Sequence, residues 1–278
     1  GDLSGLRVAV DCANGASSAT ASVLFRKLKL DAAIRYYEPD GTNINAHCGS
    51  THLEALQKMV KDGGYDVGVA FDGDADRCLI VDDKGEVLDG DRIMAVCAVE
   101  LKRQNKLRGN AFVATILSNM GLHAYAKQHG ISIECSNVGD RYVLEKMLDK
   151  GYILGGEQSG HVIFLEYATT GDGELTAIQF LKMLKDSGKR ASEIAAEVVP
   201  WPQIMINVQV PTAMKYAISD RQEVQDAIEK EKQGLGEGRI LVRPSGTEPL
   251  VRVMVEGKDK DSVYKAAEAV AGVIESIL

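Results

Sequence analysis

Residues 65–81 read YDVGVAF, then DGDADR, then CLIV. The apolar stretches on either side predict two buried strands, so the acidic run lies on a tight connection between them. The three carboxylates stand at alternate positions, Asp72, Asp74 and Asp76, and repel one another unless a positive charge lies between them. The residues between them carry almost no side chain, so the backbone can curl and direct all three to one point. The stretch therefore predicts a cation site.

The type of cation follows from the ligands. Carboxylate oxygens suit a hard cation, and Mg²⁺ takes few protein oxygens and completes its shell with phosphate or water. An EF-hand would also begin Asp-x-Asp-x-Asp, but it needs Gly at the sixth position and Glu at the twelfth, where this chain has Arg77 and Asp83. The alternative is a solvated acidic turn. Arg77 favours the metal site, because a guanidinium beside a metal offers planar donors to a phosphate that the metal also binds.

Length and composition limit the function. The chain has 278 residues, 45% of them apolar, which is enough for two or three modest packed domains. The net charge of -8 argues against a nucleic-acid partner. We find no apolar run near the roughly 18 residues that a membrane span needs, so no membrane association is expected. The five cysteines are scattered without C-x-x-C spacing, which is typical of reduced thiols in a cytoplasmic protein.

The order of predicted elements divides the chain into three parts. Strands and helices alternate from Leu6 to about Asp83, and a helix from Asp91 opens a second α/β series. Val199-Pro-Trp-Pro202 is a stiff junction, because each proline fixes its own φ and favours an extended residue before it. We expect domains at 1–86, 87–198 and 199–278.

Two histidines in the first α/β series are candidates for a second metal site. Thr51-His-Leu-Glu54 matches a capping box, so His47 and His52 are better explained as flanking the start of a helix than as metal ligands.

The loop GGEQSGH at 155–161 has the composition of a ligand-binding turn. Glycines on both sides let the backbone approach a ligand closely. Glu157 and Ser159, two residues apart, provide strong acceptors and one donor, which suits adjacent sugar hydroxyls. Glycine-flanked polar turns are common, so this loop alone is weak support. It lacks the G-x-S-x-G pattern of a nucleophile elbow.

The loop RPSGT at 243–247 lies between two predicted strands and concentrates hydroxyls, a glycine and a rigid proline beside two arginines, Arg243 and Arg252. Backbone N–H groups, hydroxyls and guanidinium groups together can contact three phosphate oxygens at once. A surface β-turn is the alternative. The flanking arginines in an acidic chain favour phosphate binding.

A metal loop, a hydroxyl-binding loop and a phosphate-binding loop together describe a phosphosugar enzyme, and their sequences resemble the α-D-phosphohexomutases. The resemblance covers essentially the whole chain. The motifs that carry it are DGDADR at 72–77, VGDR at 138–141, GEQSGH at 156–161 and RPSGTEPLVRV at 243–253. Gln158 and the VGDRY run resemble the phosphoglucosamine mutase branch more than the phosphomannomutase/phosphoglucomutase branch.

The resemblance implies a fold and a set of roles. It implies two successive α/β mixed-sheet domains, the family's second and third, followed by a smaller α+β C-terminal domain. Asp72, Asp74 and Asp76 would hold Mg²⁺, and Arg77 would stand beside the transferring phosphoryl group. Substrate binding would involve the sugar-contacting residues Glu157, Ser159 and His161, and the phosphate-anchoring residues Arg243, Ser245, Gly246, Thr247 and Arg252. The implied ligand is a small phosphosugar.

One family motif does not occur in the sequence. The family's nucleophile is a phosphoserine in a Ser/Thr-Ala-Ser-His-Asn-Pro type motif, and none of the five histidines is followed by Asn-Pro. We therefore expect the N-terminal catalytic domain to be a missing partner, the chain alone to lack mutase activity, and its metal to be weakly bound. The alternatives are a non-catalytic phosphosugar-binding protein and a phosphatase with an Asp nucleophile from the same triplet. The sugar also stays open between glucosamine, glucose and mannose.

Overall fold

The structure is a computed structural model that describes residues 2–246 and 248–278. Within them the chain forms two compact units. Unit 1 runs up to Ser118 and continues over Leu122–Val199, and unit 2 consists of Asn119–Gly121 and Pro200–Leu278. The chain passes from one unit to the other inside the predicted Val199–Pro202 junction. The division into 1–86, 87–198 and 199–278 stays a prediction.

The first part of unit 1 is a mixed sheet with helices. Its strands lie in the order β2-β1-β3-β4-β5, with β1 parallel to β2 and β3 and the remaining pairs antiparallel. Its elements are β1 (Arg7–Asp11), α1 (Ala21–Lys27), β2 (Asp31–Arg35), α2 (Glu54–Gly63), β3 (Val67–Phe71), β4 (Cys78–Asp82) and β5 (Val87–Leu88). Every residue of β3 is buried, which explains its continuous apolar sequence.

The second part of unit 1 repeats the mixed arrangement. Its sheet has the order β7-β6-β8-β9, with β6 parallel to β7 and β8 and with β9 antiparallel to β8. Its elements are α3 (Gly90–Arg103), β6 (Ala111–Thr115), α4 (Met120–Gln128), β7 (Ser132–Ser136), α5 (Asp140–Lys150), β8 (Leu154–Gly156), β9 (Val162–Phe164), α6 (Gly173–Ser187) and α7 (Ala191–Glu197).

One hydrophobic core joins the two parts of unit 1. Phe25 and Phe71 from the first part belong to the same buried cluster as Phe112 and Phe180 from the second. Helix α6 packs on β4 as well as on β9. Loops that the sequence places in different series are therefore held in one packed body.

Unit 2 is a small antiparallel sheet covered by helices. The strands have the order β10-β12-β11. Its elements are β10 (Gln203–Gln209), α8 (Gln222–Leu235), β11 (Gly238–Pro244), β12 (Leu250–Gly257) and α9 (Lys260–Ser276). The apolar face of α9 is buried in this unit's own core, with Val263, Val270 and Ile274 fully enclosed. The predicted fold class, two mixed-sheet α/β parts and a smaller α+β part, is confirmed.

Some local predictions were wrong. Thr51 belongs to a short 3-10 turn, Gly49–Thr51, so α2 begins only at Glu54 and no side chain caps it. Helix α7 was not predicted from the sequence. In the described part of the chain, no helix combines the length and the apolar character that crossing a membrane requires.

Candidate functional site

The DGDADR loop connects β3 to β4 and brings its three carboxylates together. One oxygen atom from each of Asp72, Asp74 and Asp76 lies within 4.8 Å of the others. The backbone closes on itself through a hydrogen bond from Ala75 N–H to the Asp72 carbonyl at 3.1 Å. Ala75 takes a left-handed conformation with φ of 61°, which turns the chain sharply between the second and third acid. The convergence expected from the sequence is present.

The electrostatics of the loop are those of carboxylates that share a site. Burial, followed by the neighbouring Asp76 carboxylate, raises the pKa of Asp72 to about 6. Burial acts to raise the pKa of Asp76 as well, but the neighbouring Asp72 and His161 side chains outweigh it and lower that pKa. Asp72 and Asp76 thus titrate as a pair, which retains a proton at pH values well above the usual pKa of an aspartic acid. A cation between them would replace this proton.

Arg77 supplies the positive charge nearest to the loop. Its Nε lies 3.7 Å from Asp72 Oδ2 and 3.9 Å from Asp76 Oδ1, and its backbone N–H donates to Asp72 Oδ1 at 3.1 Å. The side chain is 44% exposed, so the guanidinium lies over the acids without being enclosed. Arg77 is placed to contact an anionic group that approaches the carboxylates.

The residues fit a metal ion. Asp76 Oδ1 is buried and has no hydrogen-bond partner among the described residues. A buried carboxylate oxygen without a partner is costly unless a cation or a donor completes it. Three converging carboxylates with such an oxygen form the ligand set of a hard, oxygen-binding cation.

The loop backbone is held from both parts of unit 1. The Gly73 carbonyl accepts a hydrogen bond from Ala16 N–H at 2.8 Å, and the Ala75 carbonyl accepts one from Gly173 N–H at 2.9 Å. Cys78 N–H donates to the Gly160 carbonyl at 3.1 Å. The metal loop and the 156–161 loop are therefore joined backbone to backbone.

The 156–161 loop is a tight turn that presents Glu157 and Ser159 on one side. Glu157 N–H donates to the His161 carbonyl at 2.9 Å and Gly160 N–H donates to the Glu157 carbonyl at 3.1 Å. Ser159 Oγ lies 3.4 Å from Glu157 Oε2, as the two-residue spacing indicated. Glu157 Oε1 accepts a hydrogen bond from Gly139 N–H at 2.9 Å, which orients the carboxylate.

A cavity of about 320 Å³ opens beside this turn. Glu157, Gln158 and Ser159 line it together with Thr115, Leu117 and Val138. Its volume is at the lower end of the range for small-molecule sites, roughly 300–1,000 Å³. Polar and apolar side chains together line it, which suits a sugar ring. Sequence reasoning named the VGDR run of Val138 as a motif but missed Thr115 and Leu117, which carry no polar motif of their own.

Gln158, which suggested a branch of the family, turns part of its side chain away from the cavity. Its side-chain Nε2 donates to Asp89 Oδ2 at 3.1 Å, and its backbone carbonyl accepts a hydrogen bond from Gly90 N–H at 2.9 Å. Asp89 also caps α3 by accepting from Arg92 N–H. The residue ties the turn to the start of α3.

His161, predicted to lie among the sugar-binding residues, is placed differently. The residue is 3% exposed, and its Nδ1 lies 2.9 Å from Asp76 Oδ2. Its Nε2 accepts a hydrogen bond from Gly171 N–H at 3.0 Å. Both ring nitrogens are occupied inside the protein, so the side chain contacts the metal loop and has no nitrogen left for a sugar hydroxyl.

The RPSGT loop, which was predicted to bind phosphate, lies in unit 2. Arg243 on β11 and Arg252 on β12 are directly opposite each other in the antiparallel pair. The Nε atoms of both are buried without a hydrogen-bond partner among the described residues. Burial and then the charge of Arg252 lower the pKa of Arg243. Arg252 Nη2 pairs with Glu248 Oε2 at 3.1 Å. Like charges directly opposite on a sheet are destabilising, so a second anion would stabilise the arginine pair further.

The rest of this loop is compact. Ser245 is buried, its N–H donates to the Leu250 carbonyl at 2.9 Å, and its Oγ accepts from Glu248 N–H at 3.2 Å. Gly246 stands in open space, and Thr247 lies outside the described residues. Sequence reasoning missed Lys215, a buried lysine that donates to the Glu248 carbonyl at 3.2 Å. No sequence motif marks it.

Comparison with known families agrees with this geometry. Three models of the phosphoglucomutase/phosphomannomutase family match in order: alpha/beta/alpha domain II over residues 2–85, alpha/beta/alpha domain III over 89–200, and the C-terminal domain over 205–273. The chain belongs to this family. The resemblance inferred from the motifs is confirmed.

Relatives within the family are also similar along the whole chain. The chain is 54% identical over 279 residues to a phosphoglucosamine mutase of Ruminiclostridium cellulolyticum, with 100% of this chain and 62% of that protein covered. It is 51% identical to a phosphoglucosamine mutase of Thermoanaerobacter, with 99% of this chain and 62% of that protein covered. The chain thus spans about 62% of the length of these curated relatives.

Solved structures share the fold. An Aspergillus fumigatus N-acetylphosphoglucosamine mutase matches with a TM-score of 0.82 at 22% identity, covering 99% of this chain and 62% of that one. A phosphoglucomutase/phosphomannomutase family protein from Burkholderia thailandensis matches with a TM-score of 0.80 at 21% identity, covering 98% of this chain and 60% of that one.

Proposed function

We propose that this chain provides the metal, sugar and phosphate sites of a Mg²⁺-dependent phosphoglucosamine mutase, which interconverts glucosamine 6-phosphate and glucosamine 1-phosphate through a phosphoserine and a sugar bisphosphate. One observation carries the proposal. The three-carboxylate loop and the Glu157 turn are joined in one packed body, with Cys78 N–H donating to the Gly160 carbonyl at 3.1 Å. The relatives named phosphoglucosamine mutase support the choice of sugar.

At the transfer end, Asp72, Asp74 and Asp76 would hold Mg²⁺, which when bound neutralises charge on the phosphoryl group. Arg77 lies beside these acids, and its exposed guanidinium can contact an oxygen of the same group. Phosphoryl transfer depends mainly on positioning and charge stabilisation, which these four side chains supply.

At the sugar, Glu157 and Ser159 would bind hydroxyl groups from one wall of the 320 Å³ cavity. The hydrogen bond from Gly139 N–H fixes one Glu157 oxygen and leaves the other, Oε2, beside Ser159 Oγ at 3.4 Å. This carboxylate edge and hydroxyl can contact a sugar ring in either of two orientations. Binding in both orientations is what exchange of the 6-phosphate and the 1-phosphate requires.

The phosphate that is not transferred would be held by the unit 2 loop. Arg243 and Arg252, opposite each other and with buried Nε atoms that lack partners among the described residues, form a pair that an anion would stabilise. Ser245, Gly246 and Thr247 would complete this site. The motif that carries the family's nucleophile does not occur in this sequence, and we propose that the phosphoserine comes from an N-terminal catalytic domain supplied as a partner.

Two measurements test the function. Calorimetry with Mg²⁺ should give tighter binding of glucosamine 6-phosphate than of glucose or mannose 6-phosphate. Glu157→Gln should weaken the binding of glucosamine 6-phosphate roughly 10–100-fold, because a hydrogen bond to a charged group contributes about 1.5–3 kcal/mol. Glu166→Gln, at an exposed glutamate outside the cavity, is the matched control and should bind normally. Equal affinities for the three sugars, or an unaffected Glu157→Gln, contradict the proposal.

The catalytic part needs the N-terminal domain of a relative added in trans. Turnover of glucosamine phosphate that depends on that domain supports the mutase. Binding without turnover would favour a non-catalytic phosphosugar-binding protein, and turnover by this chain alone would contradict the predicted need for the domain. Accumulation of an aspartyl-phosphate would favour the phosphatase.

A further inference from the structure

The third carboxylate of the metal loop is oriented from outside the loop. Backbone N–H is only a donor, so the hydrogen bond from Gly171 N–H makes His161 Nε2 the acceptor. In the neutral imidazole the proton is then on Nδ1. Nδ1–H donates to Asp76 Oδ2 across 2.9 Å.

This hydrogen bond assigns the two oxygens of Asp76 to different partners. Oδ2 is held by the imidazole, and Oδ1 is buried without a hydrogen-bond partner among the described residues. A carboxylate fixed at one oxygen has little freedom to rotate about its terminal bond. Oδ1 is thereby kept in place beside the oxygens of Asp72 and Asp74.

The imidazole itself is fixed by its surroundings. Gly171 lies so close that a Cβ there would be 2.5 Å from both Cε1 and Nε2 of the ring. The backbone of His161 pairs with that of Arg77 in an antiparallel bridge, so the residue is anchored at both its main chain and its ring. Ring and loop are therefore in a fixed relation although 85 residues separate His161 from Asp76.

We propose that His161 is a positioning residue of the metal site: its Nδ1–H sets the orientation of Asp76, so that the turn which carries Glu157 and Ser159 also determines metal affinity. The inference rests on the proposed metal site. Hydrogen-bond partners of metal ligands typically change metal affinity about 10–100-fold when they are removed. An effect of that size is expected here.

The test measures Mn²⁺ binding by electron paramagnetic resonance, since Mn²⁺ shares the octahedral oxygen coordination of Mg²⁺. His161→Phe removes the donor but keeps a ring, and should weaken Mn²⁺ binding about 10–100-fold. His161→Asn keeps an N–H close to the position of Nδ1 and should restore most of the affinity. Gly171→Ala leaves His161 in the sequence but displaces its ring, and should weaken binding to a similar degree.

Two controls separate the possible failures. His129→Asn changes an exposed histidine at the end of α4 and should bind Mn²⁺ like the unmodified chain. Asp74→Asn removes an exposed member of the carboxylate group and should abolish binding whatever His161 does.

If Asp74→Asn binds normally, the metal site is wrong and the inference falls with it. If Asp74→Asn fails but His161→Phe and Gly171→Ala bind normally, only the role of His161 is refuted. If His161→Asn is as weak as His161→Phe, ring packing and not the Nδ1–H accounts for the effect, and the inference is again refuted.

Discussion

Gly90 is the point where the start of α3 meets the Glu157 turn, and it leaves no space for a side chain. A Cβ at this position would lie 2.0 Å from the Glu157 carbonyl oxygen and 2.8 Å from Gly160 N. Both are backbone atoms, which cannot move aside as a flexible side chain does. Gly90→Ala should therefore displace the whole turn.

The size of the effect follows from these distances. Ordinary contact begins near 3.5 Å, so the turn must move by about 1.5 Å. Forcing extra volume into packed backbone costs about 1–3 kcal/mol, and loss of the Gly90–Gln158 hydrogen bond adds about 1 kcal/mol. Alanine's better helix propensity offsets at most about 1 kcal/mol. We expect a net loss of about 1–4 kcal/mol and, because Glu157 moves, at least about tenfold weaker binding of glucosamine 6-phosphate.

The assay is urea unfolding followed by circular dichroism, together with calorimetry of the ligand. The matched control is Gly272→Ala, because Gly272 lies inside α9 and a Cβ added there would have nothing within 4 Å. The same substitution should there stabilise unit 2 by about 0.5–1 kcal/mol, as followed by Trp201 fluorescence. A Gly90→Ala variant as stable as the unmodified chain, with unchanged ligand affinity, would refute the reasoning.

Further predictions concern pH, a buried ion pair and the thiols. Burial raises the pKa of Asp11 above its usual 3.8, so the unfolding free energy of the chain, relative to Asp11→Asn, should fall as the pH rises above about 4; a flat or rising difference contradicts this. Glu256 is fully buried and pairs with Arg239 at 2.6 Å, so Glu256→Leu should cost about 3–5 kcal/mol in urea unfolding, and adding Arg239→Leu should recover most of it. A thiol reagent should modify half-buried Cys135 first and the native Cys78 and Cys97 last or not at all, since burial raises the pKa of both thiols; early loss of either of these two thiols, by mass spectrometry, would be the contrary result.

The parts of the site that the sequence predicted are those set by short-range chemistry. Acids alternating with small residues between two apolar stretches leave few conformations other than a turn between buried strands, and the structure has that turn between β3 and β4. The Glu157 and Ser159 side chains also meet as their spacing indicated. In each case the residues that interact are within a few positions of one another.

The parts that sequence reasoning missed depend on long-range packing. The contact between His161 and Asp76 joins positions 85 residues apart, and it exists because α3 and α6 carry both series into one core. The capping box failed for a different reason, since a 3-10 turn that ends at Thr51 took the place of the helix start. A local pattern predicts well only where no neighbouring element competes for the same residues.

The DGDADR loop is better described as the meeting point of two α/β series than as a motif of the first. Its Gly73 carbonyl is held by Ala16 from the first series, whereas its Ala75 carbonyl and Cys78 N–H are held by residues of the second, Gly173 and Gly160. A left-handed alanine and converging carboxylates are unfavourable in an isolated turn, so these outside hydrogen bonds help to maintain the loop. The three carboxylates and the Glu157 turn are consequently held in one packed body, so we expect a displacement of the turn to displace Asp76 as well.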